Sequence, residues 1–174
     1  GKVFVTYIMI DALVEENQFA YREKRGARDL LALLAIRWLD GMEKVKKLIL
    51  YCSDVSGAFD RVWRERLRIK LRAKGVHRKI IKLIMSWLRD RIAVVLVEGV
   101  KSTSITLSNM VFQGTVWGPC LWNLLHEDAK LAIRDAGFEE EVFADDLHAF
   151  KEFDDCVPND ELLEAGDAVQ VKLH

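Results

Sequence analysis

An adjacent pair of acids, Asp145-Asp146, lies between two short apolar segments, residues 141–143 and 147–150, that are predicted to form a β-hairpin. Hairpin turns usually contain Asn-Gly or Asp-Gly, whereas two neighbouring carboxylates repel each other and lose hydration. A divalent cation is the usual compensation for such a cluster. Adjacent acids are also common in solvated turns, so the pair alone leaves both interpretations open.

A third acid, Asp54, follows the apolar segment KLILYCS (residues 47–53), which is typical of a buried strand. If this strand neighbours the hairpin, Asp54 and Asp145 meet at one edge of the sheet. Mg²⁺ prefers such oxygen ligands and takes the rest from water and substrate phosphates. Two ions about 3.5 to 4 Å apart stabilise the attacking and leaving oxygens of nucleotidyl transfer. The residues alone leave this chemistry and two solvated turns as alternatives.

Apolar periodicity predicts the elements that must hold these acids. In order, we expect a weak helix over residues 3–16, a helix over 28–42, the strand over 47–53, helices over 62–74 and 77–90, a hairpin over 92–97 and 104–107 around Glu98-Gly99, a helix over 120–136, the hairpin over 141–150, and a helix after Pro158. No repeat or low-complexity linker interrupts the chain, so residues 1–174 are expected to form one unit. The order predicts an α+β fold whose mostly antiparallel sheet carries helices on one face.

The net charge of −1 conceals a strong segregation of charge along the chain. Between Arg61 and Arg91 the sequence has twelve Lys or Arg residues and two acids. Between Asp135 and Asp167 it has thirteen acids and one Lys. Such a division suits a protein that holds a nucleic acid with one region and metal ions with another. Two solvated helix faces of opposite sign explain the charge equally well.

The three cysteines, Cys52, Cys120 and Cys156, have neither the spacing of a zinc site nor that of a disulfide framework. They are expected to be buried or free thiols in a reducing compartment. The sequence shows no apolar stretch long enough for a membrane span and no secretion signal. A soluble, intracellular protein is therefore expected.

Five segments, taken together and in order, resemble the motifs of reverse transcriptases of the non-LTR retroelement and group II intron type. QFAYREKRGARDLL (residues 18–31) is similar to the finger motif that precedes the palm, and SDVSGAFDRV (53–62) to palm motif A. VHRKIIKLIMSWLRDR (76–91) resembles the helix between motifs A and B. NMVFQGTVWGPCLW (109–122) resembles motif B, and VFADDL (142–147) resembles motif C. The resemblance covers nearly the whole chain and implies RNA-directed DNA polymerase activity, carried by a right-hand palm with partial fingers.

The resemblance also implies roles for individual residues. Asp54 and Asp145 would be the ligands of two Mg²⁺ or Mn²⁺ ions, and Asp146 would support the site or coordinate as well. Phe59, five residues after Asp54, stands where the family places a ring beneath the nucleotide sugar, which would exclude a 2′-hydroxyl and favour dNTPs. A core Phe is the alternative reading of this position.

Further positions would contact nucleotide and nucleic acid. Gln113 and Gly114 match the motif B residues that lie against the incoming nucleotide and the template, where glycine permits a close approach of the backbone. An RNA template and a DNA primer are the implied partners. Their candidate contacts are Arg22, Arg25, Arg61, Arg64 and Arg68. Ordinary surface arginine is the alternative at each of these positions.

The chain departs from the family pattern at two positions of motif B. Phe112 stands where proline is usual, which puts the local turn in doubt, and Thr115 stands where serine is usual. We expect partial fingers in residues 1–47, a palm with inserted basic helices in residues 48–174, and no thumb, so that the chain would be a fragment of a retroelement polyprotein. The product of an active element would act in the nucleus.

Two other functions remain compatible with the sequence. A degenerate or domesticated relative would keep the fold as a structural or interaction module within a larger assembly. Its retention of the complete acidic set would have no physical reason, because clustered carboxylates without neutralisation cost stability. An RNA-templated RNA polymerase would share the palm chemistry, but Phe59 replaces the small or acidic residue expected there.

Overall fold

The computed structural model describes residues 16–44 and 46–173 of the chain. In chain order the elements are α1 (Ala27–Glu43), β1 (Lys46–Ser53), a short 3₁₀ helix (Ala58–Arg61), α2 (Arg64–Ala73), α3 (Arg78–Leu88), β2 (Arg91–Ala93), β3 (Leu96–Val97), β4 (Val100–Lys101), β5 (Ile105–Leu107), α4 (Gly118–Asp135), β6 (Glu139–Phe143), β7 (Asp146–Asp154) and α5 (Asn159–Leu173). Each helix and strand predicted within these residues is present, with bounds shifted by a few positions. The helix predicted over residues 3–16 lies, apart from Glu16, outside the described residues.

The chain folds into two compact units. Among the described residues, the sheet unit consists of residues 16–56 and 126–173, and the helical unit consists of Gly57–Leu125. The sheet unit contains α1, β1, β6, β7 and α5, and the helical unit contains α2, α3 and the short strands β2 to β5. The division between the units falls within helix α4.

The sheet unit is built on a three-stranded antiparallel sheet with the order β1-β7-β6. Strand β7 is central because it pairs with β1 along most of its length and with β6 at its amino end. The antiparallel α+β pattern predicted from the sequence is therefore confirmed. The sheet places the ends of β1 and β6 beside the start of β7, which is where the candidate acids lie.

Helices cover both faces of this sheet, so the prediction of helices on one face is wrong. Ala149 of β7 packs in a cluster with Ile133 of α4 and Val169 of α5. Phe150, the next residue, packs with Leu30 of α1 in a second cluster. Successive residues of a strand point to opposite faces, so each face of the central strand has its own helical cover. Periodicity within the helices could not show which face of the sheet each would cover.

The helical unit buries the apolar stripes of α2 and α3 and contains a two-part hairpin. Strand β2 pairs with β5, and β3 pairs with β4 nearer the tip. Glu98 and Gly99 form the tip, and both have positive φ, at 50° and 85°. Positive φ at both central positions is what the two-residue hairpin turn requires, and glycine meets it without strain. The predicted hairpin is confirmed, with an interruption between its two ladders.

None of the helices in residues 16–44 and 46–173 is long and apolar enough to cross a membrane. The three thiols are free: Cys52 and Cys156 are exposed, whereas Cys120 is buried. Burial raises the pKa of the Cys120 thiol to about 11. At neutral pH the Cys120 side chain is therefore a protonated, buried thiol on α4 rather than a reactive thiolate.

Candidate active site

Two of the candidate acids leave the same end of neighbouring strands. Asp54 directly follows β1, whose last residue, Ser53, pairs with Leu147 of β7. Asp146 directly precedes Leu147 at the start of β7. Since the two strands are antiparallel, the end of β1 and the start of β7 lie side by side. The strand adjacency that the sequence hypothesis required is present.

The third acid, Asp145, lies in the two-residue turn between β6 and β7. Phe143 and Asp146 form the last pair of the β6–β7 ladder, so Ala144 and Asp145 are the residues that close the hairpin. Ala144 has φ 60°, in the left-handed region. Left-handed backbone costs a residue with a Cβ roughly 1 to 2 kcal/mol. The surrounding structure must therefore hold this turn in place.

The buried side chain of Gln18 holds the backbone of Ala144. Its Oε1 accepts hydrogen bonds from the N–H of Ala144 at 2.9 Å and from the N–H of Ala20 at 3.1 Å. Its Nε2 donates to the carbonyl oxygen of Ala144 at 3.3 Å. Gln18 has no solvent exposure. Both backbone polar groups of the residue before Asp145 are therefore fixed by one side chain, which satisfies them away from water.

Gln18 is itself fixed because its segment lies along the outer edge of β6. The N–H of Phe19 donates to the carbonyl of Val142 at 2.8 Å, and the N–H of Val142 donates to the carbonyl of Asn17 at 2.9 Å. These bonds form an isolated parallel bridge between Gln18 and Val142. The segment thus covers this edge of β6 and joins the start of the finger-like motif to the strand that leads into the acidic turn.

The negative charges of Asp145 and Asp146 raise the pKa values of two nearby side chains. Burial, and then the charge of Asp145, raise the pKa of the Tyr21 phenol above its ordinary value. Burial, and then the charge of Asp146, raise the pKa of the Cys52 thiol. The Sγ of Cys52 lies 3.4 Å from Nδ1 of His148 on the neighbouring strand. The charge of Asp145 therefore acts on Tyr21, and the charge of Asp146 acts on Cys52.

Sequence reasoning gave no role to four of the described residues on the segments next to the acids. They are Gln18, Tyr21, Cys52 and His148. Gln18 and Tyr21 belong to the segment that resembles the finger motif, and Cys52 and His148 lie on β1 and β7. A buried glutamine beside a strained turn carries no periodic signal, so only the folded chain identifies it.

The carboxylates fit a magnesium ion by chemistry rather than as a preformed cage. Within the described residues, no group of three His, Cys, Asp or Glu side chains is gathered closely enough to hold a metal. Mg²⁺ is usually bound by one or two carboxylates, and waters and substrate phosphates complete its shell. Asp54 and Asp146 on adjacent strand ends, and Asp145 in the turn, are oxygen donors of this type, but the structure does not gather the three into one group. Their role as metal ligands stays a prediction.

The predicted nucleic-acid contacts in the first segment differ in their surroundings. Arg25 donates through Nη1 to the carbonyl oxygen of Glu16, and its guanidinium lies over the ring of Phe19, 5.3 Å from the centroid. These contacts stabilise the loop that carries Gln18. Arg22 is half-buried. A role for either arginine toward nucleic acid stays a prediction.

The candidate nucleotide contacts belong to the helical unit, where the backbone brings their segments together. The N–H of Val111 donates to the carbonyl of Phe59 at 2.8 Å. The ring of Phe59 is largely buried and stacks on Trp122, with 6.0 Å between centroids. Gln113 and Gly114 are exposed at a turn in which Gly114 has φ 73°. Phe59 therefore has a packing role, whatever its role toward nucleotide.

Phe112 is accommodated by an aromatic cluster in the helical unit. Its ring packs edge-on against Trp87, with 5.9 Å between centroids, and the guanidinium of Arg91 lies over Phe112 at 5.1 Å. The ring of Trp117 also packs against Trp87, with 5.8 Å between ring centroids. The turn after Phe112 is closed by the Thr115 hydroxyl, which donates to the Phe112 carbonyl at 2.6 Å. Proline is thus not needed to form this turn.

Gly118, at the start of α4, lies where no side chain fits. A Cβ at this position would lie 2.9 Å from the carbonyl oxygen of Phe112 and 3.3 Å from the ring of Phe59. We expect Gly118→Ala to lower the free energy of unfolding by about 1 to 3 kcal/mol, because backbone and ring must both shift. Urea unfolding followed by circular dichroism measures this loss.

Gly166 provides the matched control for that substitution. It lies in α5, and a Cβ there would meet nothing within 4 Å. Gly166→Ala is expected to raise the free energy of unfolding by about 1 kcal/mol, because alanine favours the helix. Equal effects of the two substitutions would contradict the close approach at Gly118.

Glu141 of β6 gives the sheet unit a pH dependence. Burial raises the pKa of this carboxyl, although Arg37 lies 3.4 Å away. The folded chain then binds the proton more readily than the unfolded chain, so this group lowers stability as pH rises above its unfolded pKa. We expect Glu141→Gln to raise the melting temperature at pH 7 and to lose that advantage near pH 4.

The control for this prediction is Glu139→Gln. Glu139 also forms an ion pair with Arg37, but its side chain is 70% exposed, against 6% for Glu141. Thermal unfolding between about pH 4 and pH 7 compares the two variants. A gain in melting temperature for Glu139→Gln as large as for Glu141→Gln would show that burial is not the cause.

The three candidate arginines of the basic segment have unequal surroundings. Arg61 is exposed at the end of the 3₁₀ helix. Arg64 donates to the carbonyl oxygen of Leu88 at 3.4 Å, which ties the start of α2 to the end of α3. Arg68 forms an ion pair with Glu65 at 2.7 Å. Arg64 and Arg68 therefore have structural contacts, and their role toward nucleic acid stays a prediction.

Comparison with known proteins confirms the family that the motifs resemble. The family model described as reverse transcriptase (RNA-dependent DNA polymerase) matches residues 3–173. The chain is also 31% identical over 116 residues to the RNA-directed DNA polymerase from mobile element jockey of Drosophila melanogaster. The match covers 66% of this chain and 12% of the Drosophila protein. Since the family model spans almost every residue, this chain belongs to the reverse transcriptase family.

Proposed function

We propose that this chain is the catalytic core of an RNA-directed DNA polymerase, part of a retroelement polyprotein, with an RNA template, a DNA primer and dNTPs as substrates. The observation that carries the proposal is the placement of Asp54 and Asp146 at the same end of paired strands. Asp145 lies in the turn directly before Asp146. A family match across residues 3–173 supports the same activity.

The three acids and Gln18 would have different roles in nucleotidyl transfer. Asp54, Asp145 and Asp146 would hold two Mg²⁺ or Mn²⁺ ions, which supply charge stabilisation for the attacking 3′ oxygen and the departing pyrophosphate. Gln18 keeps the turn that carries Asp145 in one conformation through its bonds to Ala144. A rigid backbone at this turn fixes the direction in which the Asp145 side chain extends from the turn.

The helical unit would supply nucleotide selection. Phe59 is proposed to lie beneath the sugar, where its ring would exclude a 2′-hydroxyl. Its stacking on Trp122 supports this proposal, because a packed ring has little freedom to move aside. Gln113 and Gly114, exposed at their turn, are proposed to contact the incoming nucleotide and the template. The division into fingers over residues 1–47 and a palm over residues 48–174 remains part of this proposal.

Primer extension on poly(rA)/oligo(dT) with dTTP tests the proposed function. Incorporation that requires Mg²⁺ or Mn²⁺ is expected from the wild-type chain and is expected to fail for Asp54→Asn. Extension on DNA templates alone would contradict RNA-directed synthesis. Extension that survives the loss of Asp54 would contradict the assigned chemistry.

A structural or interaction module is the second candidate. It is favoured by one observation: the described residues contain no preformed group of three metal-ligating side chains. Such a module predicts that Mg²⁺ leaves the melting temperature unchanged in the wild-type chain and in Asp145→Asn alike. A rise in melting temperature with Mg²⁺ that depends on Asp145 would exclude this second function.

A further inference from the structure

A basic groove lies between α2 and α3 of the helical unit. Its volume is about 390 Å³, and its wall consists of Arg68, Arg72, Arg78, Ile81, Lys82, Met85, Ser86 and Arg89. Five of these eight residues are cationic and none is acidic. The remaining side chains are apolar or carry a hydroxyl, so the groove offers hydrogen-bond donors and lacks carboxylate acceptors.

The cations of the groove form two rows. Arg68 and Arg72 are four residues apart on α2, and Arg78 and Lys82 are four apart on α3, so each pair shares a helix face. Arg89, just beyond α3, extends the second row. From Arg78 to Arg89 this row spans roughly 16 Å at 1.5 Å per residue. The row is longer than a single phosphate and suits a repeating anion.

Internal contacts leave most of this charge unneutralised. Arg68 is paired with Glu65 at 2.7 Å. Arg72, Arg78, Lys82 and Arg89 are exposed and have no ion pair with any residue that the structure describes. Like charges gathered on one surface repel each other, so an anion in the groove would relieve an unfavourable arrangement.

The first turn of α3 adds a second, independent observation. It has no acid, and it begins with Arg78 and Lys79. Cations at a helix amino terminus oppose the helix dipole, which costs typically 0.3 to 1 kcal/mol each. A cationic first turn therefore destabilises the helix. A bound anion would offset this cost, because the backbone N–H groups and the cationic side chains would then bind the same negative charge.

We propose that the groove between α2 and α3 binds the phosphate backbone of a nucleic acid strand, without reading its sequence. Cationic donors without carboxylate acceptors suit phosphate oxygens better than base edges, which present both donors and acceptors. The choice of nucleic acid among polyanions rests on the proposed function. The groove is a different site from the acids, and it adds Arg72, Arg78, Lys82 and Arg89 to the arginines predicted from the sequence.

Binding to labelled oligo(U) of about 20 nucleotides, measured by fluorescence anisotropy between about 50 and 200 mM salt, tests the proposal. The test variant is the double substitution Arg72→Gln/Lys82→Gln. The control, Lys101→Gln/Lys172→Gln, removes the same charge from exposed positions outside the groove and outside the first turn of α3. Circular dichroism checks that each variant is folded, which is expected because all four side chains are exposed.

The groove variant is expected to bind about tenfold more weakly at low salt. Its slope of log affinity against log salt is expected to fall by roughly 1.4, because each lost contact to a single strand removes about 0.7. The control is expected to keep the wild-type slope. A groove variant with the wild-type slope, or a control with an equal loss, would overturn the proposal.

Two further measurements separate this site from other outcomes. Weaker binding of the groove variant to phosphatidylserine vesicles, with unchanged binding to oligo(U), would assign the groove to a lipid surface and overturn the proposal. If primer extension fails while the groove variant still loses affinity, the proposed function is wrong and the groove is retained.

Discussion

Asp145→Asn is expected to lower primer extension by more than about 100-fold, since even the outer partners of metal ligands typically account for 10- to 100-fold. The substitution keeps the shape of the side chain and removes the charge that would hold the metal. Asp145 lies in the turn between β6 and β7, where Ala144 and its Gln18 contacts are backbone features that asparagine leaves intact. The loss is therefore expected without unfolding.

Thermal unfolding with and without Mg²⁺ tests the same role of Asp145 by a measurement that does not depend on polymerase activity. The wild-type melting temperature is expected to rise with Mg²⁺, because a ligand that binds the folded state stabilises it. Asp145→Asn is expected to lose that rise.

Asp155→Asn is the matched control for this substitution. Asp155 is an exposed acid that follows the far end of β7, whose nine residues span roughly 30 Å. It is expected to leave extension and the Mg²⁺ response unchanged. Retention of both by Asp145→Asn would remove this acid from the mechanism.

Gln18→Met is expected to lower the free energy of unfolding by about 3 kcal/mol. Methionine keeps the length and much of the volume of the side chain but makes none of the hydrogen bonds of the amide. The three hydrogen bonds of the amide, two to Ala144 and one to Ala20, are then lost, and each typically contributes about 1 kcal/mol. Urea unfolding measures the change.

Loss of the clamp is also expected to affect the acidic turn. Ala144 is left-handed, at φ 60°, and without Gln18 the turn can relax to other conformations. Extension by Gln18→Met, measured below its unfolding temperature, is therefore expected to require more Mg²⁺ for half-maximal rate. A change in stability with an unchanged Mg²⁺ requirement would restrict Gln18 to a structural role.

Asn17→Ala is the control for Gln18→Met, because it alters the adjacent residue. The side chain of Asn17 donates to the backbone carbonyl oxygen of Glu140 at 3.1 Å and to the Oε1 of its side chain at 3.3 Å. The substitution is expected to cost about 1 to 2 kcal/mol, because each of these two partly buried hydrogen bonds contributes about 1 kcal/mol or less. A loss as large as that of Gln18→Met would show that the edge segment, rather than the amide clamp, stabilises the turn.

The helical and strand patterns were predictable because they are local. Leu30 and Leu34 lie on the buried face of α1, as their spacing indicates. The strand predicted before Asp54 is present as β1. The prediction of helices on one face was wrong because Ala149 and Phe150 are both buried, on opposite faces, by different helices. The sequence contains both apolar residues but does not say which helix covers each.

The turn at Phe112 shows the same division between local and distant information. The replacement of proline is visible in the sequence, and it put the turn in doubt. The structure resolves the doubt through Trp87, which lies 25 positions earlier, and through Arg91. A ring that packs between distant side chains stabilises a turn that its own residues do not fix.

The amino-acid sequence by itself determined the order of the motifs, the type of each described element and the membership of the family, because these depend on residue identity and short-range periodicity. Tertiary structure alone decided the register of Ser53 with Leu147, the clamp of Gln18 on Ala144, 126 residues away, and the basic groove between α2 and α3. These features join segments that are far apart in the chain. Their geometry follows from the packing of the folded unit, which no single segment specifies.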